Sequence, residues 1–185
     1  METINIAVII GSARKDSFTK KIAFILQGLA PKEFNFNYVD ITKIPYYEED
    51  LEGTSDEPKE WRVFREQIQN NEALLFVTPE YNRSFPAIVK NALDVGSRPY
   101  GKSVWNDKPA GVVSVSLGSL GGVNATNHLK QVLAFLNVHV IQQPEVYIAS
   151  VHTLLDQKGK LNNKKTQEFL TMYLQGLKEW ILKHR

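Results

Sequence analysis

The chain of 185 residues has no cysteine, which excludes disulfides, thiol nucleophiles and thiolate metal sites. A reducing compartment suits it, and the cytoplasm is the expected location. An excess of either charge is missing as well. Lys and Arg number 22 against 20 Asp and Glu, a net charge of +2, without the basic stripe that grips phosphate backbones. No nucleic-acid partner is expected. Nor does any apolar run approach the ~20 residues that a membrane-spanning helix needs. Residues 1–10 show neither a basic leader region nor a small-residue cleavage site. We therefore expect neither export nor membrane insertion. Histidine is sparse: His128, His139, His152 and His184 stand apart, with no carboxylate at metal-ligand spacing, so no metal site is expected.

What is present is periodicity. Ile4, Ile6, Val8, Ile9 and Ile10 form a nearly continuous β-branched run, the pattern of a strand buried on both faces of a parallel sheet. Similar runs at residues 34–39, 73–77, 110–115 and 138–141, the last extended by 146–148, bring the count to about five strands. Between them Phe18, Ile22, Ile25, Leu26 and Leu29 fall at spacings of three and four, one stripe of a helix. Phe85, Ile88, Val89, Ala92 and Leu93 repeat it, as do Leu129, Val132, Leu133 and Leu136. Trp61, Phe64 and Ile68 give a weaker version, and Leu170, Leu174, Leu177 and Ile181 mark a final helix. This alternation predicts right-handed βαβ units: one α/β domain over residues 1–185, its five-stranded parallel sheet in the order 2-1-3-4-5 with helices on both faces.

Two long connections, 47–59 and 96–109, are expected at the ligand end of the sheet, outside the C-terminal ends of the strands. Tyr100, Lys102 and Trp105 in the second read as ordinary surface packing, or else as the border of a ligand or a subunit contact. The acidic cluster Glu48, Glu49, Asp50 and Glu52 reads as a solvated loop.

Three further loops carry chemistry. The first strand ends in Gly11-Ser12-Ala13-Arg14-Lys15-Asp16-Ser17-Phe18-Thr19, just before the first helical stripe. Gly11 permits a sharp turn, and the hydroxyls of Ser12, Ser17 and Thr19 with a helix N-terminus favour an anion, to which Arg14 can add a charged hydrogen bond. Ser17 reads equally as a plain N-cap and Arg14 as a solvated charge. Neither the P-loop string nor G-x-G-x-x-G is present, so a monophosphate suits the loop better than a pyrophosphate, and Asp40 does not read as a ribose ligand. The second loop, residues 78–86, holds Pro79-Glu80-Tyr81-Asn82, where Pro79 and Asn82 read as ligand contacts or as turn formers. The third, residues 114–123, is rich in Gly and Ser. Its glycines let backbone approach a planar ligand, with Ser116 and Gly118 as preferred contacts, or serve a turn that only caps the next helix.

Pro79-Glu80-Tyr81-Asn82, with Gly11-Ser12-x-Arg14-x-x-Ser17 upstream and Lys90-Asn91-Ala92-Leu93-Asp94 downstream, resembles the NADPH-dependent FMN reductase family. Ile44-Pro45-Tyr46 to Asp50-Leu51 and Gly118-Ser119-Leu120-Gly121-Gly122 look like that family's loops after strands two and four. Thr19 departs from it, since Asn is common there. The resemblance implies a flavodoxin-like three-layer sandwich that holds FMN noncovalently. It places the phosphate on Ser12, Arg14, Ser17, Phe18 and Thr19, the ring against Pro79, Glu80, Tyr81 and Asn82, and Ser116 and Gly118 beside ring or ribityl chain. Backbone N–H groups around Glu80, Tyr81 and Asn82 would then meet the pyrimidine edge.

The same resemblance implies a ping-pong reductase. Hydride from NADPH or NADH goes to the flavin N5, so no side chain need be catalytic, and small acceptors follow: flavins, quinones, azo dyes or metal oxyanions. Arg14 or Arg83 would then meet a 2′-phosphate. A homodimer or homotetramer is implied, with a neighbouring subunit helping to cover the flavin. Two other readings stay open, a flavodoxin-type electron carrier and a non-catalytic FMN-binding sensor. Carriers are usually strongly acidic, which this chain at +2 is not.

Overall fold

The computed structural model describes residues 3–185. Strands β1 (Ile4–Ile10), β2 (Phe34–Val39), β3 (Ala73–Pro79), β4 (Pro109–Val115), β5 (His139–Val140) and β6 (Val146–Ile148) join one parallel sheet. Its order is β2-β1-β3-β4-β5, with β6 also pairing with β4. The fifth position is thus one strand in two pieces. Pro109 pairs with His139 and Val113 with Val146, so four steps along β4 match seven along its neighbour. The extra residues loop out beside Pro144, which has no N–H to give a ladder.

Helices α1 (Phe18–Leu29) and α5 (Lys164–His184) cover one face of the sheet, and α2 (Lys59–Gln69), α3 (Ala87–Gly96) and α4 (Val123–Phe135) cover the other. Strand β1 serves both: Ile4, Ile6 and Val8 meet Ile22, Leu26, Leu174 and Leu177, while Ala7 and Ile9 belong with Trp61, Phe64, Val89 and Leu93. Burial on both faces explains why its sequence does not alternate with polar residues. Gly111 in β4 lets α5 approach, because a Cβ there would overlap the Tyr173 hydroxyl. Further along α5 the Trp180 indole donates to the His139 carbonyl at 2.6 Å.

The structure corrects the expectation for residues 96–109. This connection leaves the end of α3 and enters β4, so it lies where strands begin. There Lys108 Nζ donates to the Asn71 carbonyl just before β3, and the Asp107 amide to that of Asn137 (2.9 Å) just before β5. Trp105 is no surface residue either. It is fully buried, donates to the Leu93 carbonyl at 2.9 Å, and packs with Phe64 and Phe76 at centroid distances of 5.8 and 6.1 Å. Tyr100 is exposed.

Residues 47–59 begin at the ligand end but fold back over α2 and α3. Asn91, buried in α3, accepts from the Tyr47 amide (2.9 Å) and donates to the carbonyls of Ile44 and Pro45. Two of the acidic residues are engaged rather than simply solvated: Glu49 and Glu52 pair with Arg98 at 3.0 and 2.8 Å, and Tyr47 donates to Glu52 at 2.7 Å. The hydrogen bond from Arg98 holds the Glu52 carboxyl below its ordinary 4.5, against the opposing pull of burial. A lowered folded-state value means the ionised form stabilises the fold above the unfolded value, and that this is lost as pH falls through the lowered one. Glu52→Gln is therefore expected to weaken urea resistance at pH 7 and to do so much less at a pH below the ordinary carboxylate range, the difference narrowing as pH falls through the lowered value. An equal deficit at both pH values would mean that the charge has no part in it.

Candidate functional site

Because β1, β3 and β4 are neighbours, the loops leaving their C-terminal ends meet. The first is drawn tight against the second: the Gly11 amide donates to the Val77 carbonyl (2.8 Å), and a Cβ at Gly11 would stand 2.9 Å from Thr78 Oγ1 and 3.2 Å from Pro79 Cδ. Glycine is required there by space. Ser17 is the N-cap of α1, its hydroxyl accepting from the Lys20 amide at 3.1 Å. The capping and anion readings are compatible, since the cap satisfies only one of the N–H groups that open a helix. Ser17 and Thr19 are buried at the loop's base, while Arg14 and Lys15 stand exposed above it.

In the second loop Tyr81 and Ser84 exchange backbone hydrogen bonds (2.8 and 2.9 Å) around a two-residue turn. Asn82 and Arg83 both take positive φ, 49° and 64°. Asparagine tolerates this region well; arginine does so at a cost. The Tyr81 amide is thus engaged within the turn, which corrects its expected contact with a ligand edge. Glu80 has a partner no local pattern suggests. Its Oε2 accepts from the amides of Asn124 (3.0 Å) and Ala125 (3.1 Å) in the first turn of α4. The N-cap of that helix is Gly122, which has no side chain to do so. A carboxylate from another loop therefore caps α4 and sits on the positive end of its dipole.

The third loop is pinned by its own contacts. The Gly118 amide donates to Ser116 Oγ (3.0 Å), Ser114 Oγ to the Gly121 carbonyl (2.7 Å), and the amides of Ser150 and Val151 reach back to Gly118 and Ser116 (both 3.1 Å). Gly121 and Gly122 have φ of 63° and 86°, and a Cβ on either would stand 2.8 Å from Tyr147 or 2.9 Å from Ser114.

The three loops enclose a cleft of about 210 Å³. Ser12, Arg14, Ser17, Phe18 and Thr19 line one end, Pro79, Glu80 and Tyr81 one side, and Ser116 the other. Asn82 and Gly118 are not in the wall; Asn82 forms the turn and Gly118 braces Ser116. Leu117 and Val151 line it without having been singled out in the sequence. Val151 comes from the 3-10 turn Val151–Thr153 after β6, and only the pairing of β6 with β4 brings it there. Among the described residues no group of His, Asp and Glu could hold a metal ion, and no helix is long and apolar enough to cross a membrane.

A parallel sheet in this order, with ligand-facing loops after β1, β3 and β4, defines a flavodoxin-like α/β protein. Residues 4–153 match the model of the NADPH-dependent FMN reductase family, and the chain belongs to that family of oxidoreductases. It is 45% identical to a quinone reductase of Pseudomonas putida over 184 residues, covering 100% of this chain and 98% of the other. It is 41% identical to a 2-hydroxy-1,4-benzoquinone reductase of Burkholderia sp., covering 98% of each. Among solved structures, the flavoenzyme NAD(P)H:(acceptor) oxidoreductase FerB of Paracoccus denitrificans superimposes with a TM-score of 0.91 at 36% identity, over 98% of this chain and 99% of that one.

Proposed function

We propose that this cleft holds FMN noncovalently and that the chain, a single FMN-binding domain, passes electrons from NADPH or NADH to small acceptors, quinones and flavins first among them. The observation that supports this most directly is one cleft with an anion-binding end and an apolar, hydrogen-bonding side. At the first end Ser12, Ser17 and Thr19 offer hydroxyls, Arg14 a guanidinium and α1 its N-terminus, a donor set that suits a monophosphate. Along the other, Pro79, Tyr81 and Leu117 offer flat or apolar surface, and Ser116 a hydroxyl. Bound FMN supplies the redox chemistry, accepting hydride from a nicotinamide and delivering electrons onward. The protein's part is to bind, orient and shield it, which asks no side chain to move a proton.

Tyr81, Leu117 and Leu120 are exposed apolar side chains on the second and third loops. A second copy of the chain covering them would complete the site as a homodimer, or a homotetramer of two such pairs. Light scattering at micromolar concentration should then exceed the 21.0 kDa of one chain; a strictly monomeric species would remove this part. We also place the protein in the cytoplasm, in keeping with its lack of cysteine.

The deciding experiment reconstitutes the protein with FMN and mixes it anaerobically with NADPH, then separately with NADH. Bleaching of the oxidised-flavin band within seconds is expected. FMN that binds but stays oxidised would make the protein a carrier or sensor, and failure to bind FMN would overturn the assignment of all three loops.

A further inference from the structure

The net charge of +2 conceals a strong polarity. Residues 48–72, which lead into, form and leave α2, carry nine acidic side chains to three basic. On the opposite face of the sheet the balance reverses: residues 14–21, which open α1, carry four basic to one acidic, and residues 156–168, which open α5, four to two. Opposite charge gathered on the two faces gives the molecule a dipole across its sheet. An extended anionic surface therefore attracts the side of α1 and α5 and turns α2 away.

Residues 155–161 shape the basic face. Leu155 and Leu161 pair antiparallel, the Asp156 amide donates to the Lys160 carbonyl (2.8 Å), and the Asp156 carboxylate accepts from the amides of Lys158 and Lys160 (both 2.8 Å). Asp156 thus faces into its own turn, while Lys158 and Lys160 stand exposed at the tip. Between this turn, α1 and the start of α5 runs a groove of about 560 Å³. Its floor is apolar: Phe24, which is 49% exposed, with Ile25, Leu29 and Leu161. Lys21, Lys158 and Lys160 form its rim, and among the described residues no carboxylate lines it. Neither α1 nor α5 has an acidic residue in its first turn, and α5 opens on Lys164-Lys165. Cations there oppose the helix dipole, a cost that an anion outside the protein offsets.

Apolar side chains set among lysines on an open surface suit the boundary of an anionic membrane, where headgroup phosphates meet the cations and the acyl region meets the apolar floor. A soluble polyanion would satisfy the lysines and leave that floor in water. We propose that this face docks on an anionic lipid bilayer, with Phe24 at the headgroup layer and Lys158 and Lys160 on lipid phosphates. Docking also bears on the acceptor, a consequence that rests on the reading of the first cleft as a flavin site reducing quinones. A cavity that shares Ser12 and Arg14 with the cleft shares Phe24 with the groove, so the two open along one side of α1. The bilayer then delivers quinones with hydrophobic tails beside the cleft.

Sedimentation with sucrose-loaded vesicles tests the docking. Wild type should pellet with vesicles of phosphatidylcholine mixed with phosphatidylglycerol and stay in solution with phosphatidylcholine alone. Lys158→Gln/Lys160→Gln should weaken that binding at least tenfold. Lys59→Gln/Arg62→Gln removes the same charge from the acidic face and should bind like wild type. Equal binding to both kinds of vesicle, no binding to the anionic ones at low salt, or equal losses in the two variants would overturn the proposal. So would tighter binding to heparin than to anionic vesicles, which would assign the face to a soluble polyanion. For a quinone with a long isoprenoid tail carried in anionic vesicles, kcat/KM should fall about tenfold in Lys158→Gln/Lys160→Gln. A water-soluble quinone should be reduced at the wild-type rate, and equal effects on both would remove the consequence for the acceptor. FMN titration followed by flavin fluorescence keeps the two readings apart. Vesicle binding by a protein that takes up no FMN leaves the docking and removes the flavin reading; FMN-dependent quinone reduction without vesicle binding does the reverse.

Discussion

Trp105→Ala is expected to lower the free energy of unfolding by about 3–5 kcal/mol, the range for deleting a large aromatic side chain from a packed core. The indole is fully buried, its ring between Phe64 and Phe76 and its N–H on the Leu93 carbonyl. Its fit is close enough that a Cβ on Gly96 would stand 2.5 Å from the ring. A domain of ordinary stability holds only about 5–15 kcal/mol in all, so the variant should melt roughly 10 °C lower or more. Urea titration followed by circular dichroism measures the loss, and Trp105→Phe, which keeps much of the volume, should recover part of it. Trp105 is not in the cleft wall, so FMN affinity below the melting range should stay near that of wild type. A stability change under about 1 kcal/mol would contradict the packing described.

Glu80→Ala should reveal the link between the second loop and α4. The substitution removes the acceptor of two helix-opening N–H groups and the negative charge at the dipole's positive end. Losses of about 1–2 kcal/mol in stability follow from the usual worth of such caps. The larger consequence is functional. With the clamp gone, the turn carrying Tyr81 must be ordered by the ligand itself, so FMN is expected to bind about tenfold more weakly. Glu80→Gln retains an amide oxygen that can accept the same two hydrogen bonds and should lie between the two. Fluorescence titration of FMN into the three proteins gives the order. An alanine variant as tight as wild type would show that Glu80 does not hold the second loop in place for the ligand.

Most of the scaffold is legible in the sequence because its signals are local. The β-branched runs give the strands, the stripes of spacing three and four give the helices, and the βαβ connection rule gives the order of the sheet. The broken fifth strand shows as two short apolar pieces flanking Pro144. The end at which a loop lies depends on something else, whether it leaves a strand or enters one. Residues 96–109 enter β4, which puts Trp105 in the core, although its flanks, Ser103-Val104 and Asn106-Asp107, read as a surface loop. The candidate site divides in the same way. Ser12 to Thr19 and Pro79 to Tyr81 announce themselves by residue type beside a strand end. The grip of Glu80 on amides 44 and 45 positions away does not, nor does the arrival of Val151 at the cleft. Those are products of tertiary pairing, which no window of sequence contains.

The placement of the tryptophans has an optical consequence. Trp61, on the inner side of α2, and Trp105, beneath α3, are buried, Trp180 lies on α5 beside His139, and none of the three lines the cleft. Their emission therefore reports the integrity of the two helical layers rather than contact with a bound molecule. Any dimming when flavin is added must travel through space as energy transfer, so a single lamp can follow occupancy by quenching and denaturation by the shift to longer wavelength.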